Sequence, residues 1–316
     1  MATITLEQVT KNFGPVCAVR DLSLTIQAGS IFGLVGSNGA GKSTTLKILC
    51  GLEKPSSGIA RIEGLNCWEQ RAQVKLKLGY VSQSFDLYPD LTVQEHLRFF
   101  ASAFQLEPRR RKKQIEALLD RTDLLAKKTA LAGKLSGGQK RLLSLACALV
   151  HEPRILLLDE PTAGLDPAHR EALWDWLYEL AKDGLTIGVT THYLEEAERC
   201  VEIAVMNAGR LMAQGTPTEL KQLSSVRPFE IHADPLLAAL HEVKQIPGIY
   251  RASLSNGAIR VLSHQPEALF QQWEKAWPFP AIQLRHLQWC DTNLDDACAA
   301  LTLPVRADAL PATPVP

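Results

Sequence analysis

Apolar and polar residues alternate over 3–9 and again over 22–27, the period-two pattern of half-buried strands. Gly29-Ser30 reads as a turn, and Ile31-Phe32-Gly33-Leu34-Val35 as a short strand buried on both faces. A helix begins at Ser43 and stops at Gly51. Leu78 to Ser82 is another short strand, leading to Gln83. From about 92 to 150 the period is helical, which marks a separate helical subdomain. Buried strands return at Ile155-Leu156-Leu157-Leu158 and at Thr186-Ile187-Gly188-Val189-Thr190, with a helix over 167–182 between them. Fully apolar strands alternating with helices predict a parallel sheet covered on both faces, an α/β core.

The texture changes after Ser224-Ser225-Val226-Arg227-Pro228, so residues 1–222 are taken as one domain and 223–227 as a linker. Beyond it, over 228–302, lie a strand at Phe229-Glu230-Ile231-His232 and a helix faced by Leu236, Leu237, Leu240 and Val243. Strands at 249–254 and 258–262 flank Ser255-Asn256-Gly257, a hairpin signal. A helix over 266–277 and a strand over 282–289 complete a βαββαβ order that resembles a ferredoxin-like α+β domain. Trp273, Trp277 and Trp289 are expected in its core. The proline-rich segment 303–316 has no periodicity and is expected to be disordered.

Lys+Arg and Asp+Glu are equal at 34 each, so the chain lacks the basic excess of a protein that grips nucleic acid. Arg109-Arg110-Arg111-Lys112-Lys113 is read as the solvated start of a helix, with contact to lipid headgroups or a partner as the alternative. No apolar run approaches the ~18–20 residues that span a bilayer. No signal peptide is recognised at the N-terminus. Seven cysteines without a Cys-x-x-Cys pair suit reduced core residues of a cytosolic protein. The expectation is a soluble, cytoplasmic chain.

The chemistry concentrates at strand ends. Gly36-Ser37-Asn38-Gly39-Ala40-Gly41-Lys42-Ser43 follows a buried strand and opens a helix, the context of a phosphate loop. Its glycines let N–H groups approach phosphates and the helix start adds positive potential. Lys42 would reach the β- and γ-phosphates, Ser43 would ligate Mg²⁺, and Thr44 would serve the α- and β-phosphates of a nucleotide. Asp159 ends an apolar strand, where it would hold Mg²⁺, and Glu160 next to it would orient the attacking water. Gln83 would contact both metal and water, and His192 the γ-phosphate. Ser136-Gly137-Gly138-Gln139 opens a second helix. Ser136 is a good N-cap, but glycines at the first two positions are poor helix formers, and close approach of an anion explains them.

Together, Phe13-Gly14, Gly36 to Thr44, Gln83, Leu135 to Gln139, Ile155 to Glu160, Ala163-Gly164-Leu165-Asp166 and His192 resemble the ATP-binding subunit of an ABC transporter. The resemblance covers roughly residues 3–222 and implies a RecA-like P-loop core with an antiparallel β part and the helical subdomain. It implies a homodimer with two ATP molecules sandwiched between subunits, each under the signature Ser136–Gln139 of the other. It further implies that Phe13 stacks on adenine and that Asp166 passes information across the interface.

Thr191-His192-Tyr193-Leu194-Glu195-Glu196, Gly164-Leu165-Asp166-Pro167 and Asn293-Leu294-Asp295-Asp296-Ala297 resemble the multidrug, ABC type-2 exporter branch. Membership there implies a separately encoded membrane permease, attachment to the inner face of the cell membrane through it, and in some systems a periplasmic adaptor protein. An importer ATPase and a non-transport ABC-type ATPase are the alternatives. Against the last, the chain holds a single cassette, and no sustained heptads interrupt it.

Overall fold

Burial of β-branched and aliphatic runs decides where the strands of this chain go. The computed structural model describes residues 2–84, 87–224 and 226–302. The expected disordered segment 303–316 and Ser225 of the expected linker lie outside the described residues. The chain divides into two units, Met1–Thr216 and Pro217–Pro316, a boundary ahead of the linker read from composition.

In the first unit β1 (Ala2–Phe13) and β2 (Val16–Gln27) form a long antiparallel hairpin, and β3 (Ile31–Val35) leads through a glycine-rich loop into α1 (Lys42–Leu49). Next come β4 (Ser57–Ile62), β5 (Leu65–Asn66), α2 (Arg71–Lys77) and β6 (Leu78–Val81). The helical subdomain contributes α3 (Val93–Ala103), α4 (Pro108–Arg121) and α5 (Gly137–Leu149). Then follow β7 (Ile155–Asp159), α6 (Pro167–Lys182), β8 (Thr186–Thr191), α7 (Leu194–Ala197), β9 (Glu202–Asn207) and β10 (Arg210–Gly215). The sequence pattern assigns no strand at β4, β5, β9 or β10. β4 and β10 begin with exposed residues and alternate only over their last few positions, too briefly to register as strands.

Six of these strands make a sheet in the order β10-β9-β3-β8-β7-β6, parallel except for β10. Every residue of β3, β7 and β8 is buried, as the unbroken apolar runs predicted. One face packs on the antiparallel sheet β2-β1-β4-β5, where Phe32, Leu34, Ile155 and Leu157 meet Ile4, Leu6, Leu22 and Ile62 with α1 residues Leu46 and Ile48. The helices α6 and α7 pack against the sheet as well. Parallel register then aligns the strand exits. Val35 pairs with Thr191, Asp159 with Thr190 and Val81 with Leu158, so the loops after β3, β6, β7 and β8 all emerge at one sheet edge.

The basic run opens α4. Arg109, Lys112 and Lys113 are exposed, Arg110 pairs with Glu152, and Arg111 donates to Leu106 O at 3.1 Å. Pro108 at the first helical position, with Glu107 capping Arg110 N, explains why the helix starts there.

The second unit holds α8 (Pro217–Leu223), β11 (Phe229–Asp234), α9 (Leu236–Lys244), β12 (Ile249–Ser255), β13 (Ala258–Ser263), α10 (Pro266–Lys275), β14 (Gln283–Trp289) and α11 (Leu294–Thr302). Its sheet runs β12-β13-β11-β14, antiparallel throughout, the order expected of βαββαβ. Phe229 is the hub of its core, edge-on to Phe270, Trp273 and Trp289 at 5.6–5.9 Å between ring centroids. Trp273 is fully enclosed, and Trp277 and Trp289 are partly buried against it.

Asn293 to Ala297 begins α11 with a reciprocal cap. Asn293 Oδ1 accepts from Asp296 N at 2.8 Å, and Asp296 Oδ2 from Asn293 N at 3.0 Å. Asp296 also accepts from Arg260 Nη2 at 2.6 Å and Nε at 3.1 Å, which ties the helix to β13, while Arg260 Nη1 reaches Glu230 at 3.2 Å. Ala297 and Cys298 fill little volume, and this enclosed ion pair carries the attachment. Asp296→Ala leaves the half-buried Arg260 with Glu230 as its carboxylate partner and should lower stability by about 1–3 kcal/mol in urea denaturation followed by tryptophan fluorescence. Wild-type stability of that variant would remove the ion pair from its holding role.

Candidate functional site

The loop between β3 and α1 is shaped by what its glycines must avoid. A Cβ on Gly36 would lie 2.3 Å from Met206 O, and one on Gly41, whose φ is +100°, would lie 2.5 Å from Ala18 O. Gly39 is also left-handed at φ +81° but faces open space. Ser37, Asn38 and Gly39 are exposed at the rim, and Ala40 is buried beneath them. At the head of α1 the N–H groups of Gly41, Lys42 and Ser43 have no main-chain partner among the described residues. This is a concave array of N–H groups suited to an anion.

Lys42 is 5% exposed, and its Nζ donates to Gly36 O at 2.7 Å and Ser37 O at 3.1 Å, spanning the loop from within. Burial lowers its pKa, against the opposing pull of Glu160 and Asp159. Thr44 is half-buried in the first turn of α1.

Across the sheet edge, Asp159 Oδ1 accepts from Ser43 Oγ at 3.0 Å and from Thr190 Oγ1 at 2.5 Å. Glu160, 8% exposed, is flanked on both sides. Gln83 Nε2 donates to its Oε2 at 3.0 Å, and His192 Nδ1 lies 3.2 Å from its Oε1. Ser43, Asp159, Glu160, Gln83 and His192 are thus one contiguous cluster, although they come from four separate segments.

Glu160 is also conformationally unusual, with φ +46° in the left-handed region. For a non-glycine residue this costs about 1–2 kcal/mol and persists only where neighbours over-determine it. Its N–H donates to Thr190 Oγ1 at 3.0 Å and Thr190 O at 3.2 Å, and its carbonyl accepts from Arg141 Nη2 at 2.6 Å. A second buried carboxylate, Glu196, accepts from Thr191 Oγ1 at 2.7 Å and from Thr162 Oγ1, joining the turns on either side of Glu160 and His192. Arg141, Thr190 and Glu196 escaped the sequence reading. Arg141 had one available signal, a full charge directly before the mostly apolar stretch Leu142 to Val150.

The second glycine pair stands apart. No hydrogen bond or ion pair among the described residues joins Ser136–Gln139 to Gly36–Thr44. Ser136 caps α5 by accepting from Gln139 N at 3.3 Å, while Gln139 Oε1 accepts from Ser136 N at 3.2 Å. Ser136 and Gly137 are exposed, and a Cβ on Gly137 would meet nothing within 4 Å. Gly138 has a reason inside the chain, because a Cβ there would lie 3.1 Å from the His169 ring. The anion reading of the paired glycines therefore rests on Gly137 and the Ser136 hydroxyl. Asp166 caps α6, accepting from His169 N at 3.1 Å and contacting His169 Nδ1 at 2.6 Å, and the His169 N–H bond leads the effects that lower its pKa. Phe13 is exposed, with Lys11 Nζ 4.7 Å from its ring centroid.

Flanking the site, a cleft of ≈ 400 Å³ runs along the edge strand β6 beneath the helical subdomain. Leu52, Leu76, Tyr80, Phe100, Phe104 and His151 line it. His151 stacks on Phe104 with centroids 3.6 Å apart, and burial lowers its pKa to about 4.

A family profile described as ABC transporter matches residues 19–163. The Nod factor export ATP-binding protein I of Burkholderia lata is 43% identical over 221 residues, covering 70% of this chain and 73% of that protein. The probable multidrug ABC transporter ATP-binding protein YbhF of Escherichia coli is 41% identical over 222 residues, or 70% of this chain, and the match takes in 38% of that relative's length. Among solved structures, an ATP-binding subunit of an ABC transporter superposes with a TM-score of 0.66 at 29% identity over 70% of this chain and 92% of that one. A dimeric bacterial ABC transporter cassette gives 0.62 at 29% identity, over 67% and 98%. The loop's geometry predicts that Gly41→Ala, with no room for the added carbon, weakens binding of a fluorescent ATP analogue at least about tenfold in titration. Unchanged affinity would mean that the loop does not need its tight approach to Ala18.

Proposed function

The chain belongs to the ATP-binding subunits of ABC transporters, and from that membership we propose that it binds and hydrolyses ATP to drive a separately encoded export permease. The observation that carries this reading is Glu160, held between Gln83 and His192 beside the Ser43–Asp159 pair. One carboxylate takes the metal side and the other is left for water, the division of labour that phosphoryl transfer requires.

The loop N–H groups and Lys42 bind the phosphates, with Lys42 exchanging its two carbonyl contacts for phosphate oxygens. The Ser43 hydroxyl and Asp159 carboxylate are hard oxygen donors already in contact, with Gln83 near, a set that fits Mg²⁺. Bound there, the ion neutralises phosphate charge. Glu160 orients the attacking water, His192 meets the γ-phosphate, and Phe13 offers its exposed ring to adenine.

Ser136 and Gly137, exposed and unconnected to the chain's own phosphate loop, are offered to the nucleotide of a second copy. In this reading two ATP molecules join two chains head to tail, Asp166 lies at the junction, and hydrolysis releases them. The cleft along β6, with its aromatic and aliphatic lining, is where a segment of the permease docks. Docking there would hold the chain on the inner face of the cell membrane. The export relatives favour export over import. A periplasmic adaptor would act on the permease, out of this chain's reach.

Glu160→Gln should retain ATP binding, lower kcat by about a hundredfold or more, and trap an ATP-dependent dimer detectable by size exclusion with light scattering. Fast turnover by that variant would take Glu160 out of its role. Ser136→Arg should bind ATP as a monomer and fail to form that dimer, and normal hydrolysis by it would sink the shared-nucleotide arrangement.

A further inference from the structure

Arg141 lies one turn into α5, the helix that Ser136-Gly137-Gly138-Gln139 opens, and is 3% exposed. Each of its hydrogen bonds ends on a main-chain carbonyl. Nε donates to Pro161 O at 2.6 Å, Nη2 to Asp159 O at 2.9 Å and Glu160 O at 2.6 Å, and Nη1 to Ser82 O at 2.6 Å. Three consecutive carbonyls of the turn that carries Glu160, and the carbonyl just before Gln83, therefore converge on one side chain. A buried guanidinium is costly unless its donors are met, and here the fork geometry of arginine meets them with a bent segment of backbone. That segment contains the left-handed Glu160. Thr190 fixes the N–H of Glu160 and Arg141 its carbonyl.

We infer that Arg141 is a positioning residue that couples the two phosphate surfaces of one chain. It holds Glu160 and Gln83 in their working geometry and makes that geometry depend on where α5 stands. The N-terminus of α5 carries the surface offered to the partner's nucleotide, so engagement there is transmitted through a rigid helix and one guanidinium to the carboxylate of the same chain. Each site thereby senses whether the other is occupied. The inference rests on the shared-nucleotide reading above.

The test uses the full chain with Arg141→Lys, which keeps the charge but replaces a planar fork by a single ammonium. The variant should bind the fluorescent ATP analogue with wild-type affinity, keep KM and the rise of specific activity with protein concentration, and lose at least about tenfold in kcat, or about 1.4 kcal/mol. Arg141→Gln should lose more, so that partial recovery by lysine follows the charge. A folded Arg141→Lys with kcat within about twofold of wild type would overturn the inference. Wild-type hydrolysis with no dependence on protein concentration would instead overturn the shared-nucleotide reading beneath it.

A measurement that leaves Arg141 in place guards against misfolding. With ATP, hydrogen exchange in 158–163 should slow further in Glu160→Gln than in the Glu160→Gln, Ser136→Arg double variant, which binds ATP without engaging a partner. Equal protection in the two would overturn the coupling.

Discussion

A strand buried on both faces can present polar groups only where it ends, and β7 does this with Asp159 and Glu160. Leu156, Leu157 and Leu158 are wholly enclosed, so the carboxylates are placed by packing on both sides of the sheet rather than by the loop that follows. Parallel neighbours then leave no freedom of placement. β8 delivers Thr190, Thr191 and His192 beside them, β3 delivers the phosphate loop, and β6 delivers Gln83. The site exists because four strands end at one edge in register.

The side chains of Lys42, Ser43, Gln83, Asp159, Glu160 and Thr190 at that edge are all partnered, and the partners are informative. Thr190 uses one hydroxyl to donate to Asp159 and to accept from Glu160 N–H. Glu196 performs the equivalent service for Thr162 and Thr191 with a buried carboxylate. Such networks rigidify only when fully satisfied. They hold a left-handed glutamate, an arrangement that would relax in solvent. The strain sits where chemistry is expected and the surrounding β core bears it.

The phosphate loop, the two carboxylates, Gln83, His192 and the signature glycines were legible in the sequence because each obeys a local rule. Glycine marks a steric demand, and an acidic pair after an apolar run marks a strand exit. Two meanings changed on folding. Gly138 answers to the His169 ring as well as to any anion, and Asp166 is at once the cap of α6. Arg141, Thr190 and Glu196 were illegible for a common reason. Threonine in a strand and a charge on a helix are unremarkable until β7 pairs with β8 and α5 approaches the exit of β7, which brings their partners near.

The sequence by itself determined the buried strands β3, β6, β7 and β8, the steric character of the phosphate loop and the chemical types gathered at the strand exits, since these depend on neighbours a few residues away. It also determined the alternation that makes the second unit a βαββαβ sheet. Only the tertiary structure decided which carboxylate meets Ser43 and which meets Gln83 and His192, because those pairings are set by strand order. It alone showed that the helix opened by Ser136 grips the turn at Glu160 through Arg141. A guanidinium's carbonyl partners lie up to 59 residues away along the chain, and no local pattern records them.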